Sequence, residues 1–373
     1  MLSLWLALVF LTGACAGGLL NVCIYRLPYE KSLLWPGWRC GTCYQPVRWL
    51  DAVPLVGYWL CRGRCRTCGA PFSARYFVIE LVTGLCFVGL FYVEVVLNVH
   101  DLVLLRREQA AVLAGQVPWQ AWVMFAHHAL LVCFLLVASF IDLDHYEIPL
   151  PVTTAGTLVG LLGAVLLPWP WPDAAASIPP LPPRPPGMIG IGLFLPPPPP
   201  GLYAWPVWYP LPDWLPAGSW QLGLATGLAG GLAGTLLLRA VRFVFGLGRG
   251  KEGLGVGDAD LMMMAGAFLG WQAVVIAFFV SVFPALLVGL TQMVFRGSQE
   301  LAFGPSLSLG IVLTTLLWKW MAPQLTGVFF DSTLLLILVP AGAVFLLAAS
   351  FLIRLVRGSG DDEPPKGASG DKP

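Results

Sequence analysis

Apolar runs of membrane-spanning length recur along the whole chain. They restrict its fold more than any motif does. Inside a bilayer every backbone N–H and C=O must be bonded internally, so only helices and closed barrels cross. The runs here are continuous rather than alternating, which argues for helices and against a β-barrel. Charged residues make up 11% of the chain, against about 25% in a soluble domain. The expected fold class is therefore an all-α polytopic membrane protein. A formal net charge of +1 gives no sign of a nucleic-acid partner; membrane lipid is the implied surrounding. Charge placement says more than net charge, because Lys and Arg concentrate in cytoplasmic loops.

Residues 1–25 form the first apolar run, and no Lys or Arg precedes Arg26. A cleaved signal peptide wants a positive start, so this run reads as a first transmembrane helix with its N-terminus outside. Residues 26–75 carry eight basic residues against two acidic ones, which places the segment in the cytoplasm. Further spans are expected at about 76–98, 119–141, 150–168, 218–245, two within 260–295, 307–322 and 332–353. The total is about nine, with the C-terminus inside. Glu80 and Glu94 lie within or at the ends of a span, where charge is costly. Glu80, five residues after Arg75, reads as an interfacial carboxylate bonded to its neighbours. In the outer loop 99–118, Arg106 and Arg107 run against the charge rule. Residues 168–217 differ in kind: 18 of the 33 prolines fall between 168 and 216. No helix persists through them, so this is an extended outer insert, with tryptophans suited to the interface. The whole then divides into the first helix (1–25), a cytoplasmic loop domain (26–75), spans (76–167), the insert (168–217), further spans (218–353) and a polar, disordered tail (354–373).

The cytoplasmic loop contains Cys40-Gly41-Thr42-Cys43 and Cys65-Arg66-Thr67-Cys68. Two Cys-x-x-Cys knuckles separated by 21 residues have the spacing of a four-thiolate zinc site. Nearby arginines favour the thiolates. Disulfides or unpaired thiols are the competing readings, and a cytoplasmic position argues against disulfides. Cys40, Cys43, Cys65 and Cys68 are the candidate ligands of a structural zinc; Cys61 falls outside the paired spacing. The loop shows too little apolar pattern to fold without metal.

Two acidic stretches stand at equivalent places. Ser139-Phe140-Ile141-Asp142-Leu143-Asp144-His145 ends one apolar run, and Gly253-Leu254-Gly255-Val256-Gly257-Asp258 opens another. Glycines at 253, 255 and 257 allow positive φ and close approach of another chain. Taken alone, Asp258 reads as a helix cap. On the expected topology, however, Asp142 and Asp258 both lie at cytoplasmic ends of spans. Two close carboxylates cannot both ionise cheaply and share a proton. One then serves as general base on water while the other protonates the carbonyl or leaving amine. Asp144 and Asp260 compete with them, but residues two apart do not share a helix face. His145 reads as an interfacial histidine.

Several stretches together resemble the bacterial type IV prepilin leader peptidase family, which are bifunctional membrane aspartic proteases and N-methyltransferases. They are Asn21-Val22-Cys23-Ile24-Tyr25-Arg26-Leu27-Pro28, the paired knuckles, Arg75-Tyr76-Phe77-Val78-Ile79-Glu80, Ile141-Asp142-Leu143-Asp144-His145 with Ile148-Pro149, Gly255-Val256-Gly257-Asp258, and Phe303-Gly304-Pro305. They run in family order over roughly residues 10–315. The resemblance implies catalytic Asp142 and Asp258, and leader removal from prepilins and pseudopilins at the cytoplasmic face of the inner membrane. It also implies methylation of the new N-terminus with S-adenosylmethionine, whose binding residues are not legible. The family often has Lys two residues after the second aspartate; this chain has Asp260. The proline-rich insert and residues 332–373 have no counterpart. The rival readings are another Gly-x-Gly-Asp protease cutting within spans, a transporter using the aspartates as an ion site, and a non-catalytic scaffold of a secretion machine.

Overall fold

The structure, a computed structural model, describes residues 1–33, 39–40, 42–174, 214–249, 255–295, 302–330 and 332–357. Most of the proline-rich insert, the Lys251–Leu254 part of the glycine stretch and the tail after 357 lie outside these residues. Among the described residues the chain is helical, with two isolated β-bridges and no sheet. Long helices occupy the places where apolar runs were expected. They are α1 (Leu2–Arg26), α2 (Arg75–Phe91), α3 (Trp119–His145), α4 (Leu150–Leu166), α5 (Trp220–Arg249), α6 (Val256–Leu269), α7 (Trp271–Phe295), α8 (Gly304–Phe330) and α9 (Ser332–Arg357).

Six helices among the described residues are long and apolar enough to cross a membrane: α1, α2 with its extension to Val96, α3, α5, α7 and α9. The chain is thus multi-pass, but length and apolarity do not carry the count to nine. α4 is apolar but short, with 17 residues, and α6 has only 14. The single apolar stretch 260–295 is two helices, as expected, broken at Gly270. There φ is +83°, a value that favours glycine. Other boundaries follow from local chemistry. Tyr146 ends α3 in the left-handed conformation, its N–H donating to the Asp142 carbonyl at 2.9 Å. Pro149 precedes α4, and Pro305 stands in the first turn of α8, where its missing N–H costs nothing. The segment 99–118 between α2 and α3 is more ordered than a simple linker. It folds into short helices Val103–Arg107 and Gln109–Leu113, and Arg106 is offset by an ion pair with Asp101.

α6 is the centre of the bundle. Ten of its 14 residues are buried, and it packs against α5, α4, α7, α8 and α3. Lipid tails are as apolar as leucine, so transmembrane helices gain by packing closely rather than by escaping water. Small residues do this here. A Cβ on Gly230 of α5 would fall 2.0 Å from the Gly266 carbonyl oxygen of α6, and one on Gly234 2.2 Å from that of Met262. On the other side of the molecule, Gly17 of α1 lies against the Glu80 backbone of α2 in the same way.

Substituting Gly230→Ala or Gly234→Ala should therefore separate α5 from α6 and destabilise the protein by about 1–3 kcal/mol or more. Gly246→Ala, on the same helix with nothing within 4 Å of its added Cβ, should be neutral or stabilise by up to about 1 kcal/mol. Thermal unfolding in detergent, followed by circular dichroism, checks the contrast; equal effects at the three sites would show that the close crossing is not needed.

Candidate active site and cysteine cluster

Asp142 lies in the last turn of α3 and Asp258 in the first turn of α6, and both are buried. α3 and α6 touch, which puts the two carboxyl groups at the same end of the bundle. Each is held by a backbone N–H. Asp142 Oδ2 accepts from Gly304 N at 2.8 Å, at the start of α8. Asp258 Oδ2 accepts from Gly255 N at 3.2 Å, so the cap expected of a lone aspartate is present as well. The helix N-termini of α6 and α8 thus converge on the carboxylates, where their dipoles favour negative charge. A Cβ on Gly304 would sit 2.8 Å from Asp142 Oδ2. No side chain fits between that backbone and the carboxylate.

Of the two roles expected of the glycines before Asp258, positive φ and close approach, Gly255 and Gly257 lack the first, and Gly257 shows the second. Gly255 has φ −67°, and Gly257 is not among the positive-φ residues. Gly257 is needed for close approach: its added Cβ would lie 2.9 Å from Ile148 Cβ. Ile148, from the turn after α3, therefore holds the start of α6 beside the end of α3. Gly253 lies outside the described residues.

The competing acidic residues have other partners. Asp144 forms an ion pair with Arg75 of α2, whose guanidinium also donates to the Phe140 carbonyl at 3.2 Å. Asp260 lies 3.6 Å from Arg239 of α5. A cation is thus supplied from another helix beside the position where the resemblance expects lysine, a compensation no local reading of residues 258–260 reveals. His145 is exposed and stands edge-on to Tyr29 at 5.7 Å. Glu80 Oε2 accepts the Leu55 N–H at 2.7 Å, tying the loop domain to α2.

In that loop the four cysteines of the knuckles come together. Cys40 and Cys68 Sγ are 3.8 Å apart and Cys43 and Cys65 Sγ 3.9 Å apart. The four sulfurs all lie within 4.8 Å of one another, and none is in a disulfide. Four thiolates at 2.3 Å from a tetrahedral zinc stand about 3.8 Å from each other, so the cluster is compatible with zinc. The knuckles are two copies of one pattern, Arg-Cys-x-Thr-Cys-x-x-Pro, at 39–46 and 64–71. Each copy closes with an isolated bridge, Arg39 to Pro46 and Arg64 to Pro71. Each also turns through a left-handed residue, Tyr44 or Gly69. This repeat was readable in the sequence and predicts their matching folds. N–H groups of Cys43 and Thr42 hold the Cys40 thiol down to about 6, and those of Cys68 and Thr67 lower Cys65. Cys61 stays outside the cluster, beside Arg66 and Asp51, and burial pushes its thiol up.

A cavity of about 340 Å³ lies between this loop and helices α1 and α2. Asn21, Tyr25, Tyr58, Tyr76, Phe77 and Glu80 are among its walls. Sequence reading did not find it, because its walls come from three separate segments.

These features define a multi-pass helical membrane protein with a buried carboxylate pair at one end of its bundle and a four-cysteine cluster at that same end. Residues 11–94 match the Bacterial Peptidase A24 N-terminal domain, and residues 208–290 match the Type IV leader peptidase family. Over these two stretches the chain is similar to the type IV leader peptidase family. Asp258 lies within the second match; Asp142 lies between the two. Three similar proteins carry the name prepilin leader peptidase/N-methyltransferase. That of Myxococcus xanthus is 28% identical over 295 residues, covering 79% of this chain and 65% of its own length. Those of Aeromonas hydrophila (28% identical; 82% of this chain, 88% of its own) and Klebsiella pneumoniae (29%; 72% and 87%) align over more of their length. The chain thus spans slightly less than two thirds of the Myxococcus protein. No solved structure matches it.

The docking of α6 on the turn after α3 has a direct test. In a background with the native cysteines outside the four-cysteine cluster replaced, Ile148→Cys combined with Gly257→Cys should form a disulfide under mild oxidation. The two Cβ atoms lie close to disulfide reach. Peptide mass spectrometry reads the cross-link; none forming while the protein remains folded would separate the two segments.

Proposed function

We propose that this protein is a membrane aspartic endopeptidase that removes leader peptides from type IV prepilins and pseudopilins and N-methylates the new N-terminal residue. The single observation that carries the proteolytic reading is the buried pair Asp142 and Asp258, each held by a backbone N–H at a helix start. The names of the relatives supply the substrate and the second activity. Of the two carboxyls, one is ionised and takes a proton from the attacking water. The other is protonated and donates to the carbonyl oxygen of the scissile peptide, after which the leaving amine receives a proton. Metal and covalent nucleophile are not required for these steps. The ion pairs of Asp144 and Asp260 support assigning the chemistry to Asp142 and Asp258.

The same reading puts the protein in the bacterial inner membrane with nine crossings and the carboxylates at the cytoplasmic face. The basic excess of residues 26–75 supports that side. The insert then lies outside. A structural zinc is assigned to Cys40, Cys43, Cys65 and Cys68, where it would fix the two knuckles against each other.

S-adenosylmethionine would supply the methyl group. The cavity beside the cysteine loop fits it in kind. Its volume is in the range of about 300–1,000 Å³ usual for small-molecule sites, and the rings of Tyr25, Tyr58, Tyr76 and Phe77 suit a sulfonium cation. Asn21 and Glu80 provide polar atoms at the same walls.

Asp142→Asn and Asp258→Asn should each reduce leader removal by about 10³-fold or more, with normal membrane insertion. Asp144→Asn and Asp260→Asn should retain cleavage. Gly304→Ala, which pushes on Asp142, should cost about 10²-fold. Cleavage of a prepilin peptide by purified protein in detergent measures all five. Wild-type cleavage by either of the first two variants removes that residue from the pair, and a transporter or scaffold would cleave nothing.

The zinc assignment is independent of cleavage. Cys40→Ser with Cys65→Ser should remove one equivalent of zinc per chain, measured by elemental analysis, whereas Cys61→Ser should remove none. An unchanged count in the double variant refutes the assignment.

A further inference from the structure

At the other end of the bundle, Glu94, His100 and His128 form a second cluster, wholly buried, at 0%, 1% and 2% exposure. Glu94 Oε1 lies 2.6 Å from His128 Nδ1 and 3.3 Å from His100 Nε2. The three ligand atoms lie within 4.8 Å of one another. His128 precedes Asp142 by 14 residues on α3, about 21 Å along the helix axis. The cluster is therefore separate from the aspartates and from the cysteines, and the proposed proteolysis makes no use of it.

Its construction is specific. Glu94 lies in a π-helical turn, Tyr92–Val96, that continues α2; such turns widen a helix and re-aim its side chains. His100 follows in a turn clamped by Asn98, whose side chain accepts the Leu102 N–H at 2.8 Å and donates to the Leu102 carbonyl at 3.0 Å. Asp173, from the segment after α4, accepts the N–H groups of Val103 and Leu104 at 3.0 and 2.8 Å. Three stretches of chain thus converge to hold two imidazoles and a carboxylate in an apolar wall that includes Phe91, Val95, Leu102 and Phe125. The arrangement leaves one polar atom without a partner: Glu94 Oε2 is buried and makes no hydrogen bond. A buried carboxylate oxygen needs a donor or a cation.

We propose that Glu94, His100 and His128 bind a divalent first-row metal ion of the zinc type. Two imidazoles and one carboxylate are the donor set such ions take, at 2.0–2.2 Å, with a fourth position open. Ligand atoms around a tetrahedral ion of that size stand about 3.3 Å apart. The His100 distance already meets this, and His128 meets it by withdrawing less than about 1 Å. A carboxylate that turns toward the ion also engages the oxygen that lacks a partner. The ion would brace the end of α2 and the turn after it against α3.

The test uses the full-length protein in detergent, stripped with chelator, reloaded with zinc chloride and desalted. Elemental analysis should give two zinc ions per chain, and X-ray absorption at the zinc edge should show a mixed sulfur and nitrogen/oxygen shell. Glu94→Gln and His100→Asn should each lower the count from two to one and leave an all-sulfur shell. Cys40→Ser with Cys65→Ser should keep one zinc with nitrogen/oxygen ligands only. That last shell in the wild type would sustain this site and refute the cysteine site, so the two assignments fail separately. One zinc with an all-sulfur shell in the wild type, no zinc at all, or two in the Glu94→Gln and His100→Asn variants overturns the proposal. The wild-type spectrum decides even where a variant does not fold.

Discussion

The backbone N–H of Gly304 reaches the Asp142 carboxylate across 162 residues of sequence, and much of the molecule is arranged so that this contact exists. It requires α8 to begin where α3 ends. It also requires a residue without a Cβ at the helix start, because any side chain there would strike the carboxylate. A carboxyl group at the end of an apolar helix is stable only if the groups around it compensate for lost water. Two helix starts, at Gly304 and at Gly255, provide that compensation with N–H groups that their own helices leave unbonded. The same geometry buries both carboxyl groups at the contact between α3 and α6.

Holding those helix starts in place depends on close packing further into the bundle. α6 is short and almost wholly buried, so it is positioned by its neighbours. The glycines of α5 let the two backbones approach until carbonyl oxygens occupy the space of missing side chains. This is van der Waals packing in a setting where the hydrophobic effect gives helices little reason to associate. Local chemistry at the site and distant packing are therefore one problem: a shift of α6 relative to α5 moves Asp258.

The cysteine loop joins the bundle at the end that carries the aspartates. Leu55 donates to Glu80 of α2, Tyr29 packs on His145, and Arg75 links α2 to Asp144 and to the Phe140 carbonyl of α3. Arg75 and Glu80 belong to one short stretch, and each has a partner in a different part of the chain. A peptide reaching the carboxylates from that side would pass the loop and its cavity.

The sequence by itself determined the helical membrane class and where the long helices fall, and it singled out Asp142, Asp258 and the four knuckle cysteines as candidates. Long apolar runs leave a chain in lipid no choice but helix, and paired Cys-x-x-Cys knuckles carry their partners within one loop, so both are local signals. The repeat of Arg-Cys-x-Thr-Cys-x-x-Pro was equally local. The choice of Asp142 over Asp144 and of Asp258 over Asp260 was legible as an expectation. Its physical support, the ion pairs with Arg75 and Arg239, comes from other helices. What only the tertiary structure decided is which distant residues meet. Close approach at the glycines was expected, but that the partner of Gly257 is Ile148 depends on how α6 crosses the end of α3. The cluster of Glu94, His100 and His128 gave no motif, because its spacing of 6 and 28 residues matches neither a helix face nor a knuckle. Side chains so spaced converge only when a widened helical turn, a clamped loop and a neighbouring helix are packed together, and packing is a property of the folded chain.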